Sequence, residues 1–174
     1  MIFVPCYCAA DHAAIIDVET TGLNPKICDV LQLAIVDGDT GDVVINRFYD
    51  SVQESWPEAQ AVNGITKDMV RDHLHLCQDA AEVSEILGGY RAIVGYNVGF
   101  DIACLKRAGV KIPKVPIVDL MRDYSEYQQA YVLKKWKLSE ACAWAGTELF
   151  KAHDAVYDSL ATRSLFLKLR EEMI

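Results

Sequence analysis

Three short apolar segments near the start of the chain predict β-strands, because each is rich in Ile, Leu and Val and is bounded by turn-forming residues. They cover residues 13–20, 30–37 and 43–48. The sequence Asp37-Gly38-Asp39-Thr40-Gly41, between the second and third segments, is typical of a hairpin turn. The chain is therefore predicted to open with an antiparallel three-strand meander.

The rest of the chain alternates helical and strand patterns. Apolar residues lie on one side of a predicted helix over residues 79–87, which Gly88-Gly89 ends, and a second helix over 99–108 ends at Gly109. Buried strands are predicted at 91–96 and 113–118. Further helical segments are predicted at 56–63, 66–70, from 119 onward, 138–145 and 154–172. This order predicts an α/β fold with one mixed sheet, a meander followed by parallel strands, flanked by helices. Residues 1–12 are apolar and irregular and are predicted to form an edge strand or a loose arm.

Composition fits a single globular domain over residues 1–174, with 52% hydrophobic and 24% charged residues and no repeat or linker. The net charge of −8 argues against a broad electrostatic footprint on duplex nucleic acid, although a short strand held at a metal site is compatible with it. The six scattered cysteines predict reduced thiols and a cytoplasmic location. No apolar run is long enough to cross a bilayer, so no membrane partner is expected.

Two acids interrupt the first apolar segment. Asp17 and Glu19 are two residues apart in a predicted strand, so their side chains point to the same face. Like charges on a half-buried face repel each other and lose hydration unless a cation lies between them. Mg²⁺ or Mn²⁺ would suit such oxygen ligands, and the turn that follows could present backbone N–H groups to a phosphate or sugar. The alternative is a strand end with two solvated acids.

Two more acids occupy apolar positions of predicted helices. Asp158 lies on the stripe formed by Ala161, Leu165 and Leu169, and Asp101 lies on the inner face of the helix over 99–108. Each could instead cap a helix start, where Asp is favoured. Four inward acids in one domain are better explained by shared metal ions.

His153 precedes Asp158 by five residues, about 140° around a helix, so both can face one site only if His153 lies in the loop before the helix. A neutral imidazole there would be a general base near neutral pH.

Three ordered segments resemble the DnaQ-like 3′–5′ exonucleases of the DEDDh group, within the ribonuclease-H-like superfamily. They are Ile16-Asp17-Val18-Glu19-Thr20-Thr21-Gly22-Leu23, Gly95-Tyr96-Asn97-Val98-Gly99-Phe100-Asp101 and His153-Asp154-Ala155-Val156-Tyr157-Asp158. The last is similar to the family pattern H-x-A-x-x-D, and Asp154 stands where the related Tyr group would carry its tyrosine.

The resemblance implies a ribonuclease-H-like fold and hydrolysis with two divalent cations, Mg²⁺ or Mn²⁺. Asp17, Glu19 and Asp158 would hold one ion, Asp17 would bridge to the second, Asp101 would lie close by through water, and His153 would deprotonate the attacking water. The 3′-terminal nucleotide would lie along Thr20, Thr21, Gly22 and Leu23, with Leu23 wedged against its base. Asn97 and Phe100 would line the same pocket, and Ile65 would pack on a base, although Asn63 replaces the histidine usual in that segment.

The expected activity is 3′–5′ exonucleolytic release of nucleoside 5′-monophosphates, with single-stranded DNA as the favoured substrate. An exoribonuclease of the same family and a non-catalytic exonuclease-like binding module remain alternatives. A polymerase or another replication or repair factor is a candidate protein partner.

Overall fold

The computed structural model describes residues 11–128, 136–147 and 149–172, so most of the predicted arm over 1–12 lies outside the described residues. A five-stranded sheet has the order β3-β2-β1-β4-β5. Its strands are β1 (Ala13–Thr20), β2 (Val30–Asp37), β3 (Val43–Phe48), β4 (Ala92–Gly95) and β5 (Ile117–Asp119). The first three pair antiparallel, and β4 and β5 extend the sheet from β1 in parallel. The predicted α/β fold with a mixed sheet is confirmed.

Helices connect and cover the strands. They are α1 (Pro57–Asn63), α2 (Lys67–Val70), α3 (Leu76–Gly88), α4 (Val98–Arg107), α5 (Leu120–Tyr127), α6 (Leu138–Ala145) and α7 (Ala155–Glu172). The predicted helix over 79–87 begins three residues earlier, at Leu76. The strand predicted over 113–118 is limited to Ile117–Asp119, because Pro113 and Pro116 have no N–H to donate to a sheet. No helix in the described ranges is long and apolar enough to span a bilayer.

The two faces of β1 belong to different parts of the core. Ala14, Ile16 and Val18 pack in the cluster that includes residues of α3 and α4. Ala13 and Ile15 face the opposite way and pack with residues of α7, including Leu165. Since side chains alternate along a strand, Asp17 and Glu19 continue the face of Ala13 and Ile15. The acids are half-buried and face the α7 side of the sheet.

The cysteines in the described part of the chain carry free thiols. Cys28 and Cys104 are buried with their Sγ atoms 3.5 Å apart, while Cys142 is buried and Cys77 is exposed. The distance of 3.5 Å is well beyond an S–S bond length of about 2.05 Å. Cys6 and Cys8 lie outside the described residues.

Candidate active site

Strand β1 carries Asp17 and Glu19 to the edge where the parallel strands β1, β4 and β5 end. Asp17 pairs with Ala34 across the antiparallel ladder, and Glu19 pairs with Gln32. The register shifts between Glu19 and Thr20, and the strand ends at Thr20, one residue after the second acid. Ligand sites of open α/β sheets lie beyond the carboxyl ends of their strands, and these acids lie at that edge.

Helix α4 delivers Asp101 to the same edge. The chain turns from β4 into α4 through Asn97, whose φ of 64° is left-handed, and the Asn97 N–H donates to Asp119 Oδ1 at 3.0 Å. Asp101 is 4% exposed, and its Oδ2 has no hydrogen-bond partner among the described residues. An unpaired buried carboxylate oxygen is costly, so this atom requires a ligand or a proton.

Helix α7 places Asp158 opposite β1. Asp158 Oδ2 accepts a hydrogen bond from the His153 N–H at 3.1 Å, while Oδ1 is buried with no partner among the described residues. Asp158 does not cap the helix, because Asp154 accepts from the Val156 N–H at 3.2 Å. Asp158 lies in the first turn of α7 without being its N-cap, and one of its oxygens is left without a described partner.

His153 lies in the loop before α7, as its spacing from Asp158 predicts. Its backbone has a φ of 64°, and its side chain is exposed. Potential ligand atoms of Glu19, His153 and Asp158 all lie within 4.8 Å of one another. The imidazole and two of the acids thus share one small space.

The clustered acids perturb each other's pKa. Burial, followed by the charges of Asp101, Asp158 and Glu19, raises the pKa of Asp17 well above its ordinary value. Burial and Asp158 raise the pKa of Glu19 to about 7, and burial raises the pKa of Asp158 to about 6. Burial, Asp119 and Glu19 raise the pKa of Asp101 well above its ordinary value. Strongly perturbed carboxyls in a cleft are typical of functional sites.

Among the described residues, no lysine or arginine forms an ion pair with Asp17, Glu19, Asp101 or Asp158, although Lys151 pairs with the neighbouring Asp154 at 2.8 Å. The groups that shift the pKa of Asp17, Glu19 and Asp101 include no Lys or Arg side chain. Oxygen ligands, two of them unpartnered, together with uncompensated negative charge fit hard divalent cations such as Mg²⁺ or Mn²⁺. The donor set therefore fits the metal ions that the sequence implies.

A cleft of about 580 Å³ adjoins the acids. The loop after β1 forms one wall and helix α1 forms the other; the lining residues are Glu19, Thr20, Thr21, Gly22, Leu23, Gln53, Ser55, Trp56, Pro57, Glu58, Ala59, Val62 and Asn63. The loop is braced internally, because Thr20 Oγ1 donates to the Gly22 carbonyl at 2.7 Å and Gln53 Nε2 donates to Thr21 Oγ1 at 2.9 Å. The walls are mostly apolar and suit the face of a flat ring.

The structure places the predicted substrate-binding residues in different environments. Thr20, Thr21, Gly22 and Leu23 line the cleft, and Leu23 is 93% exposed. Asn97 is exposed at the start of α4, and Phe100 is half-buried against the core. Ile65 was predicted to contact a base; it is 3% exposed, packs with Leu31, Trp56 and Val70, and does not line the cleft.

The segment around Ile65 instead contributes its neighbours to the cleft. Val62 is 57% exposed and, with Asn63, lines the wall formed by α1. Asn63 Nδ2 also donates to the Thr20 carbonyl at 3.2 Å and ties α1 to the end of β1.

Sequence reasoning missed several polar residues around the acids. Gln32 is buried opposite Glu19, Asp154 raises the pKa of Asp17 and Glu19, and Asp119 raises that of Asp101. For Gln32 a signal was present, because an amide inside the apolar segment over 30–37 stands out. Asp119 and Asp154 carried no signal beyond a preference for helix starts.

Comparison with known families and proteins agrees with this geometry. The RNase_T family model, described as exonuclease, matches residues 14–166. The PolC-type DNA polymerase III of Bacillus cereus is 28% identical over 173 residues, which cover 95% of this chain and 12% of that protein. The Pediococcus pentosaceus PolC-type protein is 32% identical over 168 residues, which cover 91% of this chain and 11% of that protein. The chain thus spans about one eighth of the length of these relatives.

Solved structures share the fold. Exonuclease X in complex with 5′ overhanging duplex DNA has a TM-score of 0.69 at 22% identity, with 92% of this chain and 91% of that chain covered. E. coli exonuclease I in complex with a dA16 oligonucleotide has a TM-score of 0.71 at 20% identity, with 93% and 41% covered.

Proposed function

Because this chain belongs to the RNase_T exonuclease family, we propose that residues 1–174 act as one 3′–5′ exonuclease domain on single-stranded DNA. The domain hydrolyses the terminal phosphodiester bond and releases nucleoside 5′-monophosphates. The observation that carries this proposal is the cluster of Asp17, Glu19, Asp101 and Asp158, in which buried oxygens of Asp101 and Asp158 have no partner among the described residues.

The carboxylates of Asp17, Glu19, Asp101 and Asp158 would hold two divalent cations, Mg²⁺ or Mn²⁺. When bound, these ions neutralise the acids and stabilise negative charge on the attacking and leaving oxygens of a phosphodiester. The raised pKa values of Glu19 and Asp158, about 7 and about 6, support this assignment, because the fold holds these groups as anions only at a cost without cations.

His153 is the general base. Its side chain is exposed beside Glu19 and Asp158, and its backbone N–H is held by Asp158 at 3.1 Å. An imidazole that is open to solvent can accept a proton from the attacking water and release it to bulk. Asp158 would therefore hold a cation, and it also fixes the loop that carries the base.

The cleft between the loop after β1 and helix α1 receives the terminal nucleotide. Leu23, 93% exposed, packs against the base, with Val62 on the opposite wall. Thr20, Thr21 and Gly22 frame the sugar end of the cleft, where the hydroxyls of Thr20 and Thr21 brace the loop. Asn97 and Phe100 line the approach along α4.

Single-stranded DNA is proposed as the substrate for two reasons. A short footprint agrees with the net charge of −8, because few phosphates need to be neutralised outside the metal site. The structural neighbour exonuclease I was solved with a dA16 oligonucleotide, and PolC-type relatives are DNA polymerases. A polymerase or another replication factor is the proposed protein partner.

The test is degradation of end-labelled single-stranded DNA, matched duplex DNA and matched RNA with Mg²⁺, with Mn²⁺ and with EDTA. The proposal expects metal-dependent loss of single nucleotides from the 3′ end, fastest on single-stranded DNA, and no turnover by Asp17→Asn. Faster loss from RNA would assign the exoribonuclease alternative. Tight binding of a 3′ end without cleavage, or equal activity of Asp17→Asn, would overturn the enzymatic assignment.

A further inference from the structure

Gln32 is an unusual residue for the centre of this sheet. It lies on β2, is 2% exposed, and is paired in register with Glu19 of β1. Residues directly opposite each other in an antiparallel pair project to the same face. The Gln32 amide is therefore on the same face as both β1 acids, beneath the start of α7.

The amide makes three hydrogen bonds, and two of its partners belong to the start of α7. The Ala155 N–H donates to Gln32 Oε1 at 3.2 Å, and Gln32 Nε2 donates to Asp154 Oδ1 at 3.3 Å. Nε2 also donates to Asn46 Oδ1 on β3 at 3.1 Å. One buried side chain thus connects the sheet to the first turn of α7, where backbone N–H groups have no partner within the helix.

This contact fixes the loop that carries His153. Asp154 caps α7 through the Val156 N–H, and Gln32 holds both Asp154 and Ala155 against β2. Asp158 holds the same loop, because its Oδ2 accepts a hydrogen bond from the His153 N–H. We propose that Gln32 is a positioning residue for His153, which sets where the imidazole lies relative to Glu19. The inference rests on the proposed role of His153 as base.

The neutral amide is specifically required in this position. Asp154 already carries one ion pair, with Lys151 Nζ at 2.8 Å from its Oδ2, and its Oδ1 accepts from the Val156 N–H at 3.2 Å as well as from Gln32 Nε2 at 3.3 Å. Glutamate at position 32 would still accept from the Ala155 N–H, but it would set a second carboxylate against Asp154 and a further charge beside Glu19. Gln32→Glu is therefore expected to impair positioning although its shape is the same.

Steady-state kinetics on single-stranded DNA test the positioning role. Gln32→Met, which is close in shape and lacks the hydrogen bonds, is expected to lower kcat about 10–100-fold with KM within about twofold, since small misplacement of a catalytic group has such effects. Asn46→Ala is the matched control, because it removes the third partner of the amide and leaves both bonds to α7; its kcat is expected to stay near wild type.

A double-mutant comparison separates positioning from general stability. In a His153→Asn background, Gln32→Met is expected to change kcat less than about threefold, because the group that it positions is already gone. A merely structural Gln32 would lower kcat by the same factor in both backgrounds. That result would overturn the proposal.

Hydrogen exchange gives a readout that does not depend on activity. In Gln32→Met the amides of Ala155 and Val156 are expected to exchange at least about tenfold faster than in wild type, while the amides of β1 are unchanged. Unchanged exchange at Ala155 would refute the proposal that Gln32 holds the start of α7. If the wild type proves inactive on every nucleic acid while exchange responds as expected, the proposed function fails, but the conclusion that Gln32 holds the start of α7 stands.

Discussion

Asp158→Asn tests whether the buried Asp158 carboxylate destabilises the metal-free protein. Burial raises the pKa of Asp158 from an ordinary 3.8 to about 6, so the native carboxyl binds its proton more tightly than the unfolded one. Stability therefore falls as pH rises through this interval, and above the native pKa the full cost is present. A shift of about two units corresponds to a cost on the order of 3 kcal/mol in metal-free protein at pH 8. At pH 5 the linkage relation leaves about half of that cost.

The amide removes this charge and keeps the bond to the His153 N–H. In EDTA at pH 8, Asp158→Asn is expected to raise the free energy of unfolding by about 1–3 kcal/mol, or Tm by roughly 2–4 °C per kcal/mol. The gain is expected to be about half as large at pH 5. Turnover is lost, and added Mg²⁺ stabilises the variant less than the wild type. Urea or thermal unfolding at both pH values measures the effect.

Asp79→Asn is the matched control. Asp79 and Asp158 are each 8% exposed, but Asp79 is bonded to Arg47 Nη1 at 2.9 Å and to the Tyr49 hydroxyl at 2.6 Å. Those bonds hold the pKa of Asp79 below its ordinary value despite its burial. Its replacement is therefore expected to destabilise the protein at pH 8. If Asp158→Asn destabilises the protein as Asp79→Asn does, in EDTA at pH 8, the argument that the charge of Asp158 is uncompensated is refuted.

Three further variants test separate parts of the structure. His153→Asn is expected to lower kcat about 10²–10⁴-fold, the range for a lost general base, and to keep Mg²⁺ binding by calorimetry; lost Mg²⁺ binding would make His153 a ligand instead. Leu23→Ala is expected to raise KM for single-stranded DNA about tenfold with kcat nearly unchanged, since an apolar contact of about 1.5 kcal/mol is removed; an effect on kcat alone would contradict the cleft assignment. Arg163 on α7 donates to the carbonyls of Gly38 and Asp39 at 2.9 and 2.8 Å, so Arg163→Ala is expected to cost about 1–2 kcal/mol in urea unfolding and to leave kcat unchanged.

Periodicity predicted which face each acid occupies. The alternation of β1 places Asp17 and Glu19 on one face, and the stripe through Leu165 and Leu169 on α7 places Asp158 inward, as the structure has them. These relations depend on residues close in sequence, so a local pattern is sufficient to find them. The strands of the meander were predicted for the same reason.

Contacts between distant segments could not be predicted in this way. Gln32 meets Ala155 only because the register of β2 and the packing of α7 bring together residues 123 positions apart. Ile65 was expected at the ligand because its segment is similar to a family motif, whereas packing with Leu31 and Trp56 decides its burial. A pattern identifies the face of an element, but the partner on that face depends on the whole fold.

The left-handed backbone at His153 also constrains how this chain can evolve. A φ of 64° is tolerated by Gly, Asn and Asp and is strongly disfavoured for β-branched residues. Descendants that abandon catalysis while keeping the entry to α7 should therefore carry Gly, Asn or Asp at position 153, and Val, Ile or Thr should be rare there. Asn97 has the same φ at the start of α4 and is therefore expected to be limited to the same residue types. Positions 97 and 153, which precede the helices that carry Asp101 and Asp158, are thus expected to change more slowly in evolution than their exposure to solvent suggests.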